Sequence, residues 1–429
     1  MKETKEIRNL AYFTETAVSP FHTVEAVRNV LHKEEFEELP FSGGWKLERG
    51  GKYLVSVYDS LVFAFTVGKE WEPGDGLRMA AAHGDFPGFR VKPCPEVRTG
   101  DYVRLNVETY GGVNLMSWLD RPLSLAGRVA LRSADVFRPK LRLVDFREPL
   151  LVIPNIAIHM ERDLNKGIEL NRQVHMLPLF ALDQDQKEDV FTGFLAEKLG
   201  VKKEDILDYE LNVYNPEKGA FSGPEGEFYS SPRLDNLTSV SALVDGITAG
   251  GRDRGVNLMV VFDHEEVGSR TKQGAGSTVF PLVLEKIYGA LGSSRTALTE
   301  VLPQSMLLSV DVSHAMHPAY EAKNDITSKN MPGRGFAIKE ACSQSYATDS
   351  RAVAVVQQIC DREKIPCQKY VNRSDIAGGG TLGSIASAIL PVPTVDMGVP
   401  LLAMHSSREL MGTRDQESLC EMLRAYYTL

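Results

Sequence analysis

After about residue 228 the 429-residue chain alternates between short, predominantly apolar runs and helical patterns. DNLTSVSALVDGI reads as a helix, VNLMVVF as a strand, residues near 277–292 as a helix and MLLSVD as a strand; a helix near 349–363 is followed by a strand beyond Ile365. A strand that is apolar at nearly every position, with no polar alternation, has no polar face to give to water, so it must be covered on both sides. Interleaved helices supply that cover, and their crossover connections leave neighbouring strands parallel. The expected fold is therefore α/β, a mostly parallel sheet flanked by helices.

The N-terminal part fits the same plan. Ser19-Pro20 opens an amphipathic helix, with Val24, Val27, Val30 and Leu31 at helical spacing. The β-type runs YLVSVYD, SLVFAFTV and GLRMAAAH follow, the last ending on His83. Between them and the alternating region the texture changes to strand-like pieces such as DYVRLNVETY, GRVALRS and LRLVDF, with a polar helical stretch near 183–206. This segment reads as a β-rich insertion over residues 92–228, leaving 1–91 and 229–429 to the main domain; the alternative is a continuation of one large sheet.

Composition narrows the function. Apolar residues at 43% and charged residues at 24% are those of a globular chain, and a net charge of −9 offers no basic field to nucleic acid or anionic lipid. The start, MKETKEIRNL, lacks the apolar core of a signal peptide, and the longest apolar stretch, Ile385 to Met404, carries Pro391, Pro393, Asp396 and Pro400, which a membrane helix would not. Five scattered cysteines with no C-x-x-C pair read as reduced thiols. These features describe a cytoplasmic protein whose partners are small molecules or protein.

In open α/β sheets the working crevice lies beyond the carboxyl ends of the strands. Three apolar strands here end in metal-type ligands: His83 after GLRMAAA, Asp263-His264-Glu265-Glu266 after VNLMVVF, and Asp311 after MLLSV. Asp235 stands where a helix begins, and His405 follows VDMGVPLLAM. One such residue would be a turn-former or helix cap; their convergence on one sheet edge points to a site. A pair of dications needs carboxylates and a hydroxide to offset four positive charges, with imidazoles completing the shells, and two His with three carboxylates meet that requirement. Asp85, two residues beyond His83, can fix the imidazole tautomer. The adjacent Glu265 and Glu266 can share a site only if the strand ends and turns there; one acid then binds metal while the other moves protons.

Other motifs are weaker. Gly268 stands four residues beyond His264, so there is no H-E-x-x-H. Pro318 directly follows the i, i+3 pair His314 and His317 and breaks a helix that would carry them, which favours a substrate or structural role. Gly378, Gly380 and Gly383 spell G-x-G-x-x-G after a poor strand, which suits close backbone approach to a substrate, and no G-x-S-x-G occurs.

The blocks HGDFPGFRVKP, YGG with WLDRPLSLAGRV, IPNIAIHM, SPRLDNL, DHEEVGS with QGAGS, DVSHAMHP and MHSSRE, in this order, resemble the aspartyl aminopeptidase family of dinuclear zinc aminopeptidases. The resemblance implies a zinc-peptidase mixed sheet flanked by helices, interrupted by a β-rich dimerisation domain, and assembly of dimers into a tetrahedral dodecamer. It implies that Asp235 bridges two ions, most simply zinc with manganese or cobalt as substitutes. His83 and Asp311 would complete one ion, Glu266 and His405 the other, and Glu265 would be the general base. His159 matches a histidine that reaches a neighbouring subunit's active site, and Lys339 and Tyr346 match substrate-contacting positions. The chain departs from the family at His83-Gly84-Asp85-Phe86-Pro87, at His317-Pro318-Ala319 and in AYEAKNDITSKNMPG; the first two spare the metal set and the last alters the substrate pocket. The expected activity is removal of an N-terminal residue, acidic if Lys339 recognises it, from peptides with a free amine. The rivals are a preference for neutral residues, hydrolysis of another small amide, and a catalytically silent assembly protein.

Overall fold

The computed structural model describes residues 4–429. Two compact units emerge. The first holds the chain up to Asp85 together with Gly219–Met404 and Glu409–Leu429; the second holds Phe86–Lys218 with the short return His405–Arg408. The junctions fall earlier than residues 91/92 and 228/229. The cause is backbone pairing: strand Gly88–Thr99 already bonds to Tyr102–Tyr110 of the second unit, whereas Ala220–Ser222 pairs with Phe228–Ser231, and that strand with Glu409–Gly412, in the first.

The first unit is built on a nine-stranded mixed sheet. Its strands are the two-residue edge Glu37–Glu38, β1 (Lys52–Val57), β2 (Leu61–Val67), β3 (Arg78–His83), β4 (Val256–Phe262), β5 (Met306–Val310), β6 (Phe336–Glu340), β7 (Cys367–Val371) and β8 (Thr394–Gly398). In space the order runs from the edge through β1, β2, β4, β3, β5, β8 and β6 to β7. The central four, β4, β3, β5 and β8, are parallel, while β2 pairs antiparallel with β4 and β6 with β8. The sheet is thus parallel where the apolar alternation predicts it and antiparallel where a hairpin or a reversed strand is added.

Both faces are covered, as strands without a polar side require. Met259 and Val261 of β4 join one core with α1 (Lys5–Thr16), α2 (Pro20–Lys33), α3 (Leu234–Ala249), α5 (Ser350–Glu363) and α7 (Thr413–Thr428). Leu258, Val260 and Phe262, pointing the other way, join a second core with α4 (Val279–Ala290) and α6 (Leu382–Ile389). Ser19 caps α2 by accepting from His22 N–H, with Pro20 in the first turn as read from the sequence. Helix α1, which the sequence reading did not separate out, is capped by Thr4.

The second unit is a six-stranded antiparallel sheet that packs Phe89, Trp118, Leu125 and Leu211 against helix Val190–Leu199, the helical stretch expected near 183–206. Among the described residues no helix is long and apolar enough to cross a membrane.

Candidate metal centre

Because β4, β3 and β5 are adjacent and parallel, with Phe262 in register with His83, their carboxyl ends lie side by side. They deliver His83, the Asp263–Glu266 segment and Asp311 to one place. Asp235 arrives from the first turn of α3, where its N–H donates to the buried Glu409 carboxylate at 2.9 Å. His83 Nε2 lies 3.4 Å from Asp235 Oδ1 and 3.5 Å from Asp311 Oδ1. The ligand atoms of His83, Asp235 and Asp311 fall within 4.8 Å of one another, and so do those of His83, Glu265 and Glu266.

The glutamate pair shares the site because β4 stops at Phe262. His264 and Gly268 take left-handed backbone conformations, φ 62° and 97°, and between them Glu265–Val267 forms one 3₁₀ turn. This turn is held from beneath by Asp85, whose two carboxylate oxygens accept the Glu265 N–H at 3.1 Å and the Glu266 N–H at 3.2 Å. The hydrogen bond that fixes the His83 ring runs from Nδ1 to the main-chain carbonyl of Asp85 at 3.0 Å, with the carboxylate farther off at 3.5 Å. Asp85 therefore serves the imidazole through its backbone and the glutamate turn through its side chain.

The electrostatics suit a cation. Burial disfavours a charged His83, yet its hydrogen bonds to Asp235, Asp311 and Asp85 outweigh burial and hold its pKa well above the ordinary histidine value. Burial raises the Glu265 carboxyl to about 8; the positive field of His83 opposes this, and the like charges of Asp311, Asp85 and Asp235 add to it. Acids packed this closely repel one another unless a positive charge lies among them. Oxygen and imidazole donors are the set that zinc takes, so the residues fit the metal.

Lys339, near the end of β6, is buried to 1% exposure. Its ammonium donates to Val312 O at 2.9 Å, lies 3.6 Å from Asp311 Oδ2 and stands 5.1 Å from the Tyr346 ring centroid. Burial pulls its pKa down, but Asp311, Tyr346 and Asp396 more than compensate, leaving it raised. Lys339 is thus a buried ammonium ion paired with Asp311 of the acid cluster, not a solvated lysine. His405 opens the segment assigned to the second unit; within that unit its Nδ1 lies 2.9 Å from Gly112 O, a contact that puts the ring proton on Nδ1 and the lone pair on Nε2. His159 is exposed on the 154–160 stretch of the second unit. Sequence reasoning missed Glu409 and Asp396; the signal for Asp396 was a lone acid inside the apolar strand TVDMG.

Residues 13–427 match the profile of the family described as aminopeptidase I zinc metalloprotease (M18). A probable M18 family aminopeptidase 2 of Clostridium novyi is 42% identical over all of this chain and 99% of its own length. Aspartyl aminopeptidase 4 of Saccharomyces cerevisiae is 36% identical over 97% of this chain and 93% of its own. Among solved structures, the Ape4 and Nbr1 complex contains a chain that superposes with a TM-score of 0.94 at 30% identity, covering 100% of this chain and 87% of that one. The fold alone recurs in a structure described as the S. cerevisiae mApe1 dodecamer, with a TM-score of 0.84 at 23% identity over 99% and 96% of the two chains.

Proposed function

The chain belongs to the aminopeptidase I zinc metalloprotease (M18) family, and from that premise we propose that it removes acidic residues, Asp or Glu, from peptide N-termini with a pair of divalent ions, zinc first and manganese or cobalt as substitutes. The observation that carries this reading is the gathering of His83, Asp235, Asp311, Glu265 and Glu266 at three adjacent strand ends and one helix start. Asp235 would bridge the ions, His83 and Asp311 hold one, and Glu266 and His405 hold the other. When bound, the ions acidify a water molecule and polarise the scissile carbonyl. Glu265 takes the proton from the attacking water and passes it to the departing amine as the peptide bond breaks. Asp85 holds Glu265 and Glu266 in register with one another.

Lys339 supplies the cation for the substrate's side-chain carboxylate, with Tyr346 beside it. The name borne by the yeast relative supports an acidic preference. One observation favours a neutral preference: the ammonium already has Asp311 and Val312 O as partners. The second unit is read as the dimerisation domain, carrying exposed His159 to the active site of a neighbouring copy within a tetrahedral dodecamer. The cysteines, all unbridged, fit a cytoplasmic location.

The test is a panel of Asp-, Glu-, Ala- and Leu-anilides assayed with the native chain and with Glu265→Gln. Acidic substrates should be cleaved fastest, and Glu265→Gln should keep its zinc while losing at least about 10²-fold in kcat. Unchanged turnover in that variant refutes the role of Glu265, and faster cleavage of Ala and Leu substrates replaces the acidic preference with a neutral one.

A further inference from the structure

Four side chains that the proposed chemistry leaves unused, or uses only in part, stand in one row across the carboxyl half of the sheet. Ser309 of β5 is in register with Asp396 of β8, Asp396 with Lys339 of β6, and Lys339 with Tyr370 of β7. Registered positions on neighbouring strands present their side chains to the same face. Lys339 therefore shares its face with a carboxylate on the next strand.

Asp396 is wholly buried in the middle of a strand, a position where an acid persists only if every oxygen is occupied. Its Oδ1 accepts the Thr381 hydroxyl at 2.5 Å, and its Oδ2 accepts the Ala347 N–H at 2.6 Å. Its own N–H donates to Thr348 Oγ1 at 2.9 Å, and the two held segments meet where Thr381 N–H donates to Ser345 O at 3.2 Å. One carboxylate thus ties the 345–348 loop and the start of α6 to the sheet. Tyr346 is the residue directly before the anchored Ala347 N–H, and its ring is the one facing the Lys339 ammonium. On the other side the Tyr346 hydroxyl receives the Asn372 amide at 3.5 Å, and Asn372 in turn accepts from Tyr370 at 2.7 Å.

The glycine run finds its reason here. A Cβ on Gly383 would come within 2.6 Å of Ser309 Oγ and 2.7 Å of Asp396 Oδ1, and one on Gly378 within 2.2 Å of Asn372 Nδ2. Gly378 and Gly383 thus admit the two ends of the 378–383 segment to close packing against Asn372 and the Ser309–Asp396 pair.

We propose that Asp396 is a positioning residue for N-terminal residue selectivity: by holding Ala347 and Thr381 it fixes Tyr346 beside Lys339 and so sets the shape of the pocket for the substrate's first side chain. The inference rests on the reading of Lys339 as the side-chain-recognising cation. Its test compares the native chain with Asp396→Asn, Thr381→Val and Thr381→Ser on the anilide panel, with zinc content and thermal midpoint measured alongside. Asp396→Asn should change the ratio of kcat/KM between acidic and neutral substrates at least about tenfold, chiefly through KM, since a side-chain pocket acts on ground and transition states alike. Zinc content should remain that of the native chain. Thr381→Val, which loses one tie, should shift the ratio in the same direction by less, and Thr381→Ser, which keeps the hydroxyl, should restore it. If Asp396→Asn does not fold, the Thr381 pair decides the question. A uniform loss on all substrates, or unaltered ratios in both Asp396→Asn and Thr381→Val, overturns the inference. The acidic reading stands or falls separately, on the native chain's own profile.

Discussion

Asp85→Asn tests how the glutamate turn is held. The change keeps the size of the side chain and leaves the main-chain carbonyl that fixes His83 in place. It replaces one carboxylate oxygen with an amide nitrogen, so one of the two N–H groups now held at 3.1 and 3.2 Å meets a donor instead of an acceptor. Losing one hydrogen bond to a charged group removes about 1.5–3 kcal/mol, and the stranded N–H adds about 1–3 kcal/mol, because Asp85 is fully buried and water does not replace the lost partner. If about 3 kcal/mol of this is felt where Glu265 must meet the attacking water, kcat falls on the order of 10²-fold. Metal affinity should weaken as well, by roughly 10–100-fold, the usual range for groups that orient a metal's ligands. The assay is steady-state hydrolysis at saturating zinc together with a zinc titration. Native kcat/KM and native zinc affinity in Asp85→Asn would refute the reasoning. A loss cured entirely by added zinc would show that Asp85 acts on metal retention alone and not on the base.

Asp415, at the start of α7, accepts the N–H groups of Gly333 and Gly335 at 2.8 Å each, yet burial raises its carboxyl to about 7. The folded chain then holds this proton more tightly than the unfolded chain, so its contribution is greatest below about pH 4 and is lost as pH rises to about 7, up to about 4 kcal/mol. Asp415→Asn, which does not ionise, should flatten the fall in thermal midpoint between about pH 4 and 7, and equal slopes in the two proteins would rule out this assignment. For His159, the expected result is complementation: His159→Ala and Glu265→Gln are each inactive, but co-assembled mixtures regain up to about a quarter of native activity, because each supplies what its neighbour lacks. Mixed assemblies with no activity would place His159 outside the partner's site.

Much of the sheet was legible because burial on both faces leaves a plain mark: VNLMVVF is apolar at every position but Asn257, whose side chain is buried and hydrogen-bonded. The acids at its end were legible for the same reason, since polar groups directly after a buried strand need a purpose. What the sequence hid was the work done by single atoms. Nothing in H-G-D says that the Asp85 carbonyl serves His83 while its carboxylate serves Glu265 and Glu266; that depends on β3 and β4 being neighbours, a long-range fact. Lys339 in FAIKE reads like a surface lysine because the antiparallel pairing of β6 with β8, which buries it, leaves no local signature. Asp396 was used only as an argument against a membrane helix, although an acid within TVDMG was itself the sign of a buried polar network. The junctions of the insertion escaped because Gly88–Thr99 is equally strand-like in either sheet, and only its partner decides.

The central claim is that two cations share one set of side chains at these strand ends. Crystals grown with zinc and measured on both sides of its absorption edge should show two anomalous peaks about 3.5–4 Å apart, with Asp235 between them, His83 and Asp311 at one, and Glu266 and His405 at the other. A single peak, or a pair from which Asp235 is turned away, would contradict it.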